Sequence, residues 1–245
     1  MSRVFTCSCG VDVSGSQIED LAPLVLAHFD DAHAELELTL PAVRNYLEAE
    51  DRLTGPAMPL DSLGEVEIRP VAPAIVEEIL AFFDHDAMVG RPEWASCFCM
   101  YFLLGGASSQ EWGDRTWQEN RADQKARIEA GETNGLVAYV DGRLAGWCHA
   151  GARAGFPGLA TGDDEGVASV VCFAIAPPYR GLGLASLLLR AATDHLEQQG
   201  FTRIEAYPVM NAENSDRAFP GPVELYLGHG FDLVSEDPPL VVTTR

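Results

Sequence analysis

Two sets of residues in this chain have types and spacings that can do chemistry. The first is Arg180-Gly-Leu-Gly-Leu-Ala185, which follows the apolar run Val170–Ala176 and the pair Pro177-Pro178 and opens a long amphipathic pattern ending near Gly200. Strand, glycine turn and helix start, in that order, build an anion site. The first N–H groups of a helix have no partner within it and carry the positive end of its dipole. Glycine at 181 and 183 removes side chains that would hold a phosphate away from those groups. The second set is Cys7, Cys9, His28 and His33. Two thiolates and two imidazoles are a donor set that zinc takes tetrahedrally. His28 and His33 stand five residues apart, close enough to converge at a helix end. C-x-C is tighter than the usual finger spacing, so two free thiols near a terminus and two exposed helix histidines remain an equal reading.

The elements that carry these residues follow from periodicity. In residues 1–55, Ser16-Gln-Ile-Glu19 has the form of a capping box, and Ile18, Leu21, Leu24, Val25 and Phe29 fall at helical spacing behind it. A second helix is expected from about Pro41 to Leu53, with Gly55 able to end it. This predicts a small helical, metal-finger-like unit, and a domain of that size needs a staple. Residues 56–64 lie in the Pro- and Gly-bearing stretch TGPAMPLDSLG, which has no periodicity and reads as a linker.

The second domain is expected over residues 65–245. Val66–Val71 suits a strand, Pro73–Val89 has helical period, and Trp94–Leu104 is apolar on all sides. A charged helix is expected over about Arg115–Ala130. Leu136–Val140, Asp141-Gly142 and Leu144–Ala150 form a hairpin pattern around a turn dipeptide of the right φ sign. Val167–Ile175 and Arg203–Val209 are further strands, Ala154–Gly166 and Asn211–Pro222 loops, Val223–His229 a short helix, and Phe231–Ser235 with Leu240–Thr244 a closing hairpin around Pro238-Pro239. Alternating helices and strands predict an α/β fold with a mixed sheet covered by helices.

Composition narrows the partners. The formal net charge of −21 argues against nucleic-acid phosphate, which wants clustered Lys and Arg. It suits a cationic substrate such as an amine through long-range attraction, and it suits plain solubility equally well. No apolar run approaches the ~20 residues that span a bilayer, so no membrane partner is expected. MSRVFTCSCG lacks an apolar signal core, and six cysteines then read as reduced thiols or metal ligands in a cytoplasmic protein.

Ala176-Pro-Pro-Tyr-Arg180-Gly-Leu-Gly-Leu-Ala185, in its strand–loop–helix setting, and Tyr226-Leu-Gly-His-Gly230-Phe231 carry a resemblance. With them, residues 65–245 resemble the GNAT superfamily of acetyl-CoA-dependent N-acetyltransferases, through its pyrophosphate loop and its C-terminal Tyr-x-x-x-Gly-Phe. Trp94-Ala-Ser-Cys97-Phe-Cys99, Asn120-Arg121, Gly146-Trp147-Cys148, Cys172-Phe173 and Glu205-Ala-Tyr207-Pro208 look like a bacterial subgroup of undefined substrate. Residues 1–55 resemble small bacterial domains with a CxCG start and a helix bearing spaced histidines.

The resemblance implies a mixed, mostly antiparallel central sheet flanked by helices. It implies acetyl-CoA as cosubstrate and a small-molecule or peptide primary amine as acceptor, attacked directly in a ternary complex. A homodimer is left open. Backbone N–H groups of Arg180, Gly181, Leu182, Gly183, Leu184 and Ala185 would cradle the pyrophosphate, with the Ser186 hydroxyl and the Arg180 side chain adding to it. Edge atoms of Phe173, Ala174 and Ile175 would pair with the pantetheine amides and supply oxyanion donors. Tyr226 would protonate the leaving thiolate.

Some superfamily members carry a Glu about four residues before the Phe173 position, where this chain has Ser169. Glu205, Glu165, Asp164 and His149 are the candidate bases. Glu205 is preferred, because strand alternation puts it on the face opposite Ile204 and Ala206. The alternative for Glu205 is an ion pair, and for Tyr226 a packing role. Cys97, Cys99, Cys148 and Cys172 read as small buried hydrophobes. The missing carboxylate supports an alternative function for the whole chain, a non-catalytic acyl-CoA-binding sensor or adaptor.

Overall fold

The computed structural model describes residues 2–105, 110–159, 165–209, 219–235 and 241–244. The chain begins with a hairpin that periodicity did not disclose. Strands β1 (Arg3–Thr6) and β2 (Asp12–Gly15) pair antiparallel, from Arg3 opposite Gly15 to Thr6 opposite Asp12. Strands of four residues are too short for an alternation signal to stand out. The Cys7–Val11 turn between them is closed by Cys7 N–H to Val11 O at 2.9 Å and Gly10 N–H to Cys7 O at 2.8 Å. Two helices follow, α1 (Ile18–Ala32) and α2 (Leu40–Arg52). Leu21, Ala22 and Val25 of α1 meet Val43 and Leu47 of α2, with Phe5 and Val13 of the hairpin beside them. So the N-terminal unit is a hairpin on two helices and not helical throughout.

The capping box expected at Ser16 does not form. Gln17 is the N-cap and makes no side-chain cap, while the Ser16 hydroxyl bonds the Asp20 carboxylate. A capping box stands instead at Thr116, whose hydroxyl accepts the Glu119 N–H at 3.3 Å while Glu119 accepts the Thr116 N–H at 2.8 Å.

The larger core belongs to a seven-stranded sheet in the order β3-β4-β5-β6-β7-β9-β8. Its strands are β3 (Val66–Pro70), β4 (Gly135–Val140), β5 (Arg143–Ala152), β6 (Val167–Ile175), β7 (Arg203–Ala206), β8 (Phe231–Ser235) and β9 (Val241–Thr244). Every neighbouring pair is antiparallel except β6 with β7, which the crossover helix α6 (Leu184–Gln198) makes parallel. Leu184, Leu188, Leu189, Ala192 and Leu196 form the buried stripe of α6. α6 packs close at Gly146, where an added Cβ would meet Leu188 and Leu184 at 3.0 and 3.2 Å. Trp147, next along β5, faces the other way and stacks edge-on against Phe83 at 5.4 Å. That second face is covered by α3 (Val76–Ala81), a π-helical turn at Phe82–Asp86, and α5 (Trp117–Glu129). The short helices α4 (Gln110–Asp114) and α7 (Val223–Leu227) complete the set. No helix among the described residues is long and apolar enough to cross a membrane.

α2 grips the larger domain through polar side chains. Asn45 donates to Arg115 O and accepts the Trp117 N–H, both at 3.0 Å, and Glu48 accepts the Trp117 indole N–H at 2.5 Å. Arg52 donates to Ala95 O at 2.9 Å, pairs with Asp84 at 3.4 Å and lies 4.4 Å over the Trp117 ring. The 56–64 stretch is fastened too, with Leu60 N–H on Pro178 O at 2.9 Å.

Candidate functional site

β6 and β7 pair only from Val167 opposite Arg203 to Val170 opposite Ala206. β6 then runs on to Ile175 with β5 alone, and a bulge at Val171 marks the divergence, since Cys172 faces His149 while Val170 faces Ala150. The freed edge is where an extended ligand could add. Phe173 and Ile175 face it. Backbone alternation turns the Ala174 groups toward Trp147 of β5, which corrects the expectation that all three residues share the edge. The chain itself occupies part of this edge, because the Phe173 N–H donates to Phe219 O at 2.5 Å. The Phe219 ring in turn packs on Trp94, 5.1 Å between centroids.

After β6 comes a 3-10 turn, Pro177–Tyr179, then Gly181 at φ +74° and Gly183 at φ +86°. Both angles lie in the left-handed region that side chains resist. Gly183 is the N-cap of α6, and nothing lies within 4 Å of a Cβ built on either glycine. There is room for a phosphate above both. Leu187 N–H bonds Gly183 O at 3.2 Å, so the N–H groups of Leu184, Ala185 and Ser186 precede the helical ladder and are available. Leu182 sits between the glycines.

The Arg180 guanidinium donates to Ile175 O at 2.8 Å and Ala87 O at 3.1 Å, and its N–H bonds Pro177 O at 3.2 Å. It ties the loop to the end of β6, because carbonyls left bare where a strand stops need a donor.

Tyr226 lies on α7 beneath the freed edge, fully buried, with its ring 6.5 Å from that of Phe173. Its hydroxyl donates to Pro220 O at 2.5 Å, and burial pushes the phenol well above its ordinary pKa. Glu205 stands directly across β6–β7 from Ser169. It is an ion-pair partner, 2.8 Å from Arg153 and 3.2 Å from Arg203. Tyr207 donates to the same carboxylate at 3.2 Å and is 3.3 Å from the Ser169 hydroxyl. Of the other candidate bases, Glu165 is exposed and Asp164 lies outside the described residues. His149 is buried between Trp147 and Phe156, its Nδ1 has no partner among the described residues, and burial with Arg127 nearby pushes its pKa down to about 3. It is neutral at ordinary pH.

The acetyltransferase (GNAT) family model matches residues 99–220, a span that runs from the apolar segment through β6, the glycine turn and α6. Residues 99–220 belong to the GNAT acetyltransferase family. No curated protein sequence matches the chain. Among solved structures, the chain is similar to the PaiA N-acetyltransferase from Thermoplasma acidophilum in complex with coenzyme A, at 16% identity over 74% of this chain and 99% of that one, TM-score 0.44. It is similar to YncA from Salmonella typhimurium, solved with acetyl-CoA, at 19% identity over 73% of this chain and 90% of that one, TM-score 0.41. A GCN5-related N-acetyltransferase from Kribbella flavida is alike at 17% identity over 74% and 97% of the two chains, TM-score 0.44. These likenesses add nothing to the family match.

Cys97, Cys99 and Cys148 gather around Cys172. Cys99 donates to Cys172 at 3.4 Å, and burial pushes Cys97 up to about 12 and Cys99 and Cys148 well above the ordinary thiol value. Protonated thiols of this kind are poor nucleophiles and pack as hydrophobes.

Outside the GNAT domain, the structure brings Cys7, Cys9, His28 and His33 together. Their donor atoms all lie within 4.8 Å of one another. Cys7 Sγ is 3.3 Å from His33 Nε2, and Cys9 Sγ is 3.4 Å from His28 Nε2. The Cys9 backbone N–H, then neighbouring side chains, draw the Cys7 thiol down to about 6. Phe219 and Arg153 carry no signal in the sequence, because their roles depend on contacts with distant segments, whereas Tyr207 stands in the Glu205-Ala-Tyr207-Pro208 run.

Proposed function

We propose that the GNAT domain transfers an acetyl group from acetyl-CoA to a primary amine, a small molecule or a peptide, by direct attack while both substrates are bound. The observation that carries this reading is the open cradle over Gly181 and Gly183, immediately downstream of a strand that has parted from its neighbour. In this reading the N–H groups from Gly181 to Ser186 receive the pyrophosphate, with the α6 dipole behind them. Phe173 and Ile175 bond the pantetheine amides along the freed edge, and the Phe219 carbonyl gives up the Phe173 N–H as they do. The thioester supplies the activated acyl carbon. The Phe173 N–H is then the donor nearest the developing oxyanion.

Tyr226 loses its Pro220 partner when the 219–221 segment shifts, and its hydroxyl donates to the departing thiolate. An ammonium has no lone pair, so the acceptor sheds one proton to solvent before it attacks. Its nitrogen becomes more acidic as it bonds to the acyl carbon, and the second proton leaves through Ser169 and Tyr207 to Glu205. Arg153 and Arg203 hold that carboxylate in place beside Tyr207. The carboxylate absent at position 169 is thereby supplied from the next strand. The net charge of −21 favours cationic acceptors in the encounter.

A screen of amines against acetyl-CoA, read by release of free thiol, tests the reading. Thiol release with at least one amine is expected. Tyr226→Phe should then lower kcat on the order of 100-fold while acetyl-CoA affinity holds within about twofold. Unchanged turnover would remove Tyr226 from the mechanism. Tight acetyl-CoA binding with silence across all amines would move the chain to the sensor reading.

A further inference from the structure

The N-terminal hairpin and helix bring two sulfurs and two nitrogens to one point. Cys7 and Cys9 come from the turn between β1 and β2, His28 from the C-terminal half of α1, and His33 from its C-cap. We propose that Cys7, Cys9, His28 and His33 bind one zinc ion in a closed, tetrahedral, structural site.

The distances fit the ion. Zinc bonds of about 2.3 Å to sulfur and about 2.0–2.1 Å to nitrogen, at tetrahedral angles, separate the donor atoms by about 3.4 to 3.8 Å. The two sulfur–nitrogen contacts stand at 3.3 and 3.4 Å, and the whole set is within 4.8 Å. Hydrogen bonding between each Cys and a His would account for two pairs. It gives no reason for both pairs to share one centre, or for the His28 and His33 rings to approach to 5.4 Å. Thiolate with imidazole selects zinc over magnesium or calcium, which take oxygen. Four protein ligands leave no open position, so the site holds structure and does no chemistry.

The unit has a use for such a tie. Its strands are four residues long, and its core has five fully buried apolar side chains. A two-stranded hairpin of that length is marginal alone. The ion would pin the hairpin turn to the C-terminal end of α1. α1 packs on α2, and α2 carries the Asn45, Glu48 and Arg52 contacts to the GNAT domain. Cys7 is buried, but Cys9 is exposed and the two histidines are half-buried, so a chelator can reach the ion.

The test uses the full chain, purified under reducing conditions without chelator and incubated with zinc. Elemental analysis is expected to find about one zinc per chain, falling to none in Cys7→Ser/His33→Ala and unchanged in Cys97→Ser. Because the double variant could misfold, the wild-type chain carries a second readout. Zinc should slow alkylation of Cys7 and Cys9, read by mass spectrometry, by at least about tenfold, and a chelator should restore it. Cobalt in place of zinc should give the intense visible absorption of a tetrahedral thiolate site. A wild-type chain that takes up no zinc, or alkylation of Cys7 and Cys9 at the same rate with and without it, overturns the proposal.

Discussion

At the N-terminal end, four donor atoms face one another within 4.8 Å. At the end of β6 the arrangement is the opposite. The groups that would meet a ligand are spent on the chain: Phe173 N–H on Phe219 O, the Tyr226 hydroxyl on Pro220 O, Arg180 on Ile175 and Ala87, and Glu205 on Arg153 and Arg203. Among the described residues, the glycine turn stands open. Soft ligands converge without needing the ion to balance a buried charge, because a thiol and an imidazole can hydrogen-bond each other meanwhile. An amide edge inside a core cannot wait unpaired, since a buried N–H without a partner costs about 1–3 kcal/mol. Such a site fills itself and must exchange partners when its ligand arrives.

The joint between the two regions gives the largest expected effect. Arg52 lies over the Phe98 and Trp117 rings, at 5.4 and 4.4 Å, and reaches Asp84 and Ala95. Its side chain is 9% exposed and that of Asp84 is 11% exposed. Removing one partner of a buried pair leaves the other uncompensated, although Arg121 at 2.9 Å continues to hold Asp84. Arg52→Ala is expected to cost about 3 kcal/mol by chemical denaturation and to raise hydrogen exchange along α2. If the two regions are prepared independently, the slow alkylation of Cys7 and Cys9 in the presence of zinc survives the change. Loss of that protection would mean that the metal cluster depends on the docked α2.

The open element of the acyl-transfer site comes next. Gly183→Ile forces a β-branched residue to φ +86° and fills the space above the α6 N-terminus. Acetyl-CoA affinity by calorimetry is expected to fall on the order of 100-fold, as strain of up to about 3 kcal/mol combines with a blocked anion site. Unaltered binding would place the ligand elsewhere.

The parts legible from sequence are those whose signal is local. β6 runs over Val167–Ile175, where apolar, β-branched residues predict it, and Asp141-Gly142 turns the β4–β5 hairpin with φ at +50° and +79°. The glycine turn and α6 were likewise written in neighbouring residues. β7 stops at Ala206, short of the expected Val209, because the sheet splits there and Val209 keeps only an isolated bridge to Pro222. The Trp94–Leu104 segment was opaque for another reason. Phe98 and Cys99 take φ of +45° and +56°, angles that no residue type there announces and that the surrounding core imposes. Partnerships were the hardest to read. Arg153 bonds Glu205 from 52 residues away in sequence, and no spacing rule links them.

The smallest effect distinguishes a self-filled site from a damaged one. If Phe219 holds the β6 edge closed, acetyl-CoA binds only the fraction of molecules in which it has moved, and its apparent affinity is reduced by that fraction. Phe219→Ala removes the ring contacts to Trp94 and Tyr101, at 5.1 and 6.3 Å, that seat the segment, and leaves the backbone carbonyl in place. The closed form then loses stability relative to the open one. Acetyl-CoA should bind about threefold tighter, although the variant itself should melt at a lower temperature because apolar burial is lost. Tighter binding together with lower stability is the signature of a segment that competes with the ligand. Weaker binding would instead make Phe219 part of the wall against which acetyl-CoA packs, and the edge of β6 would then be open to ligand without displacement of the chain.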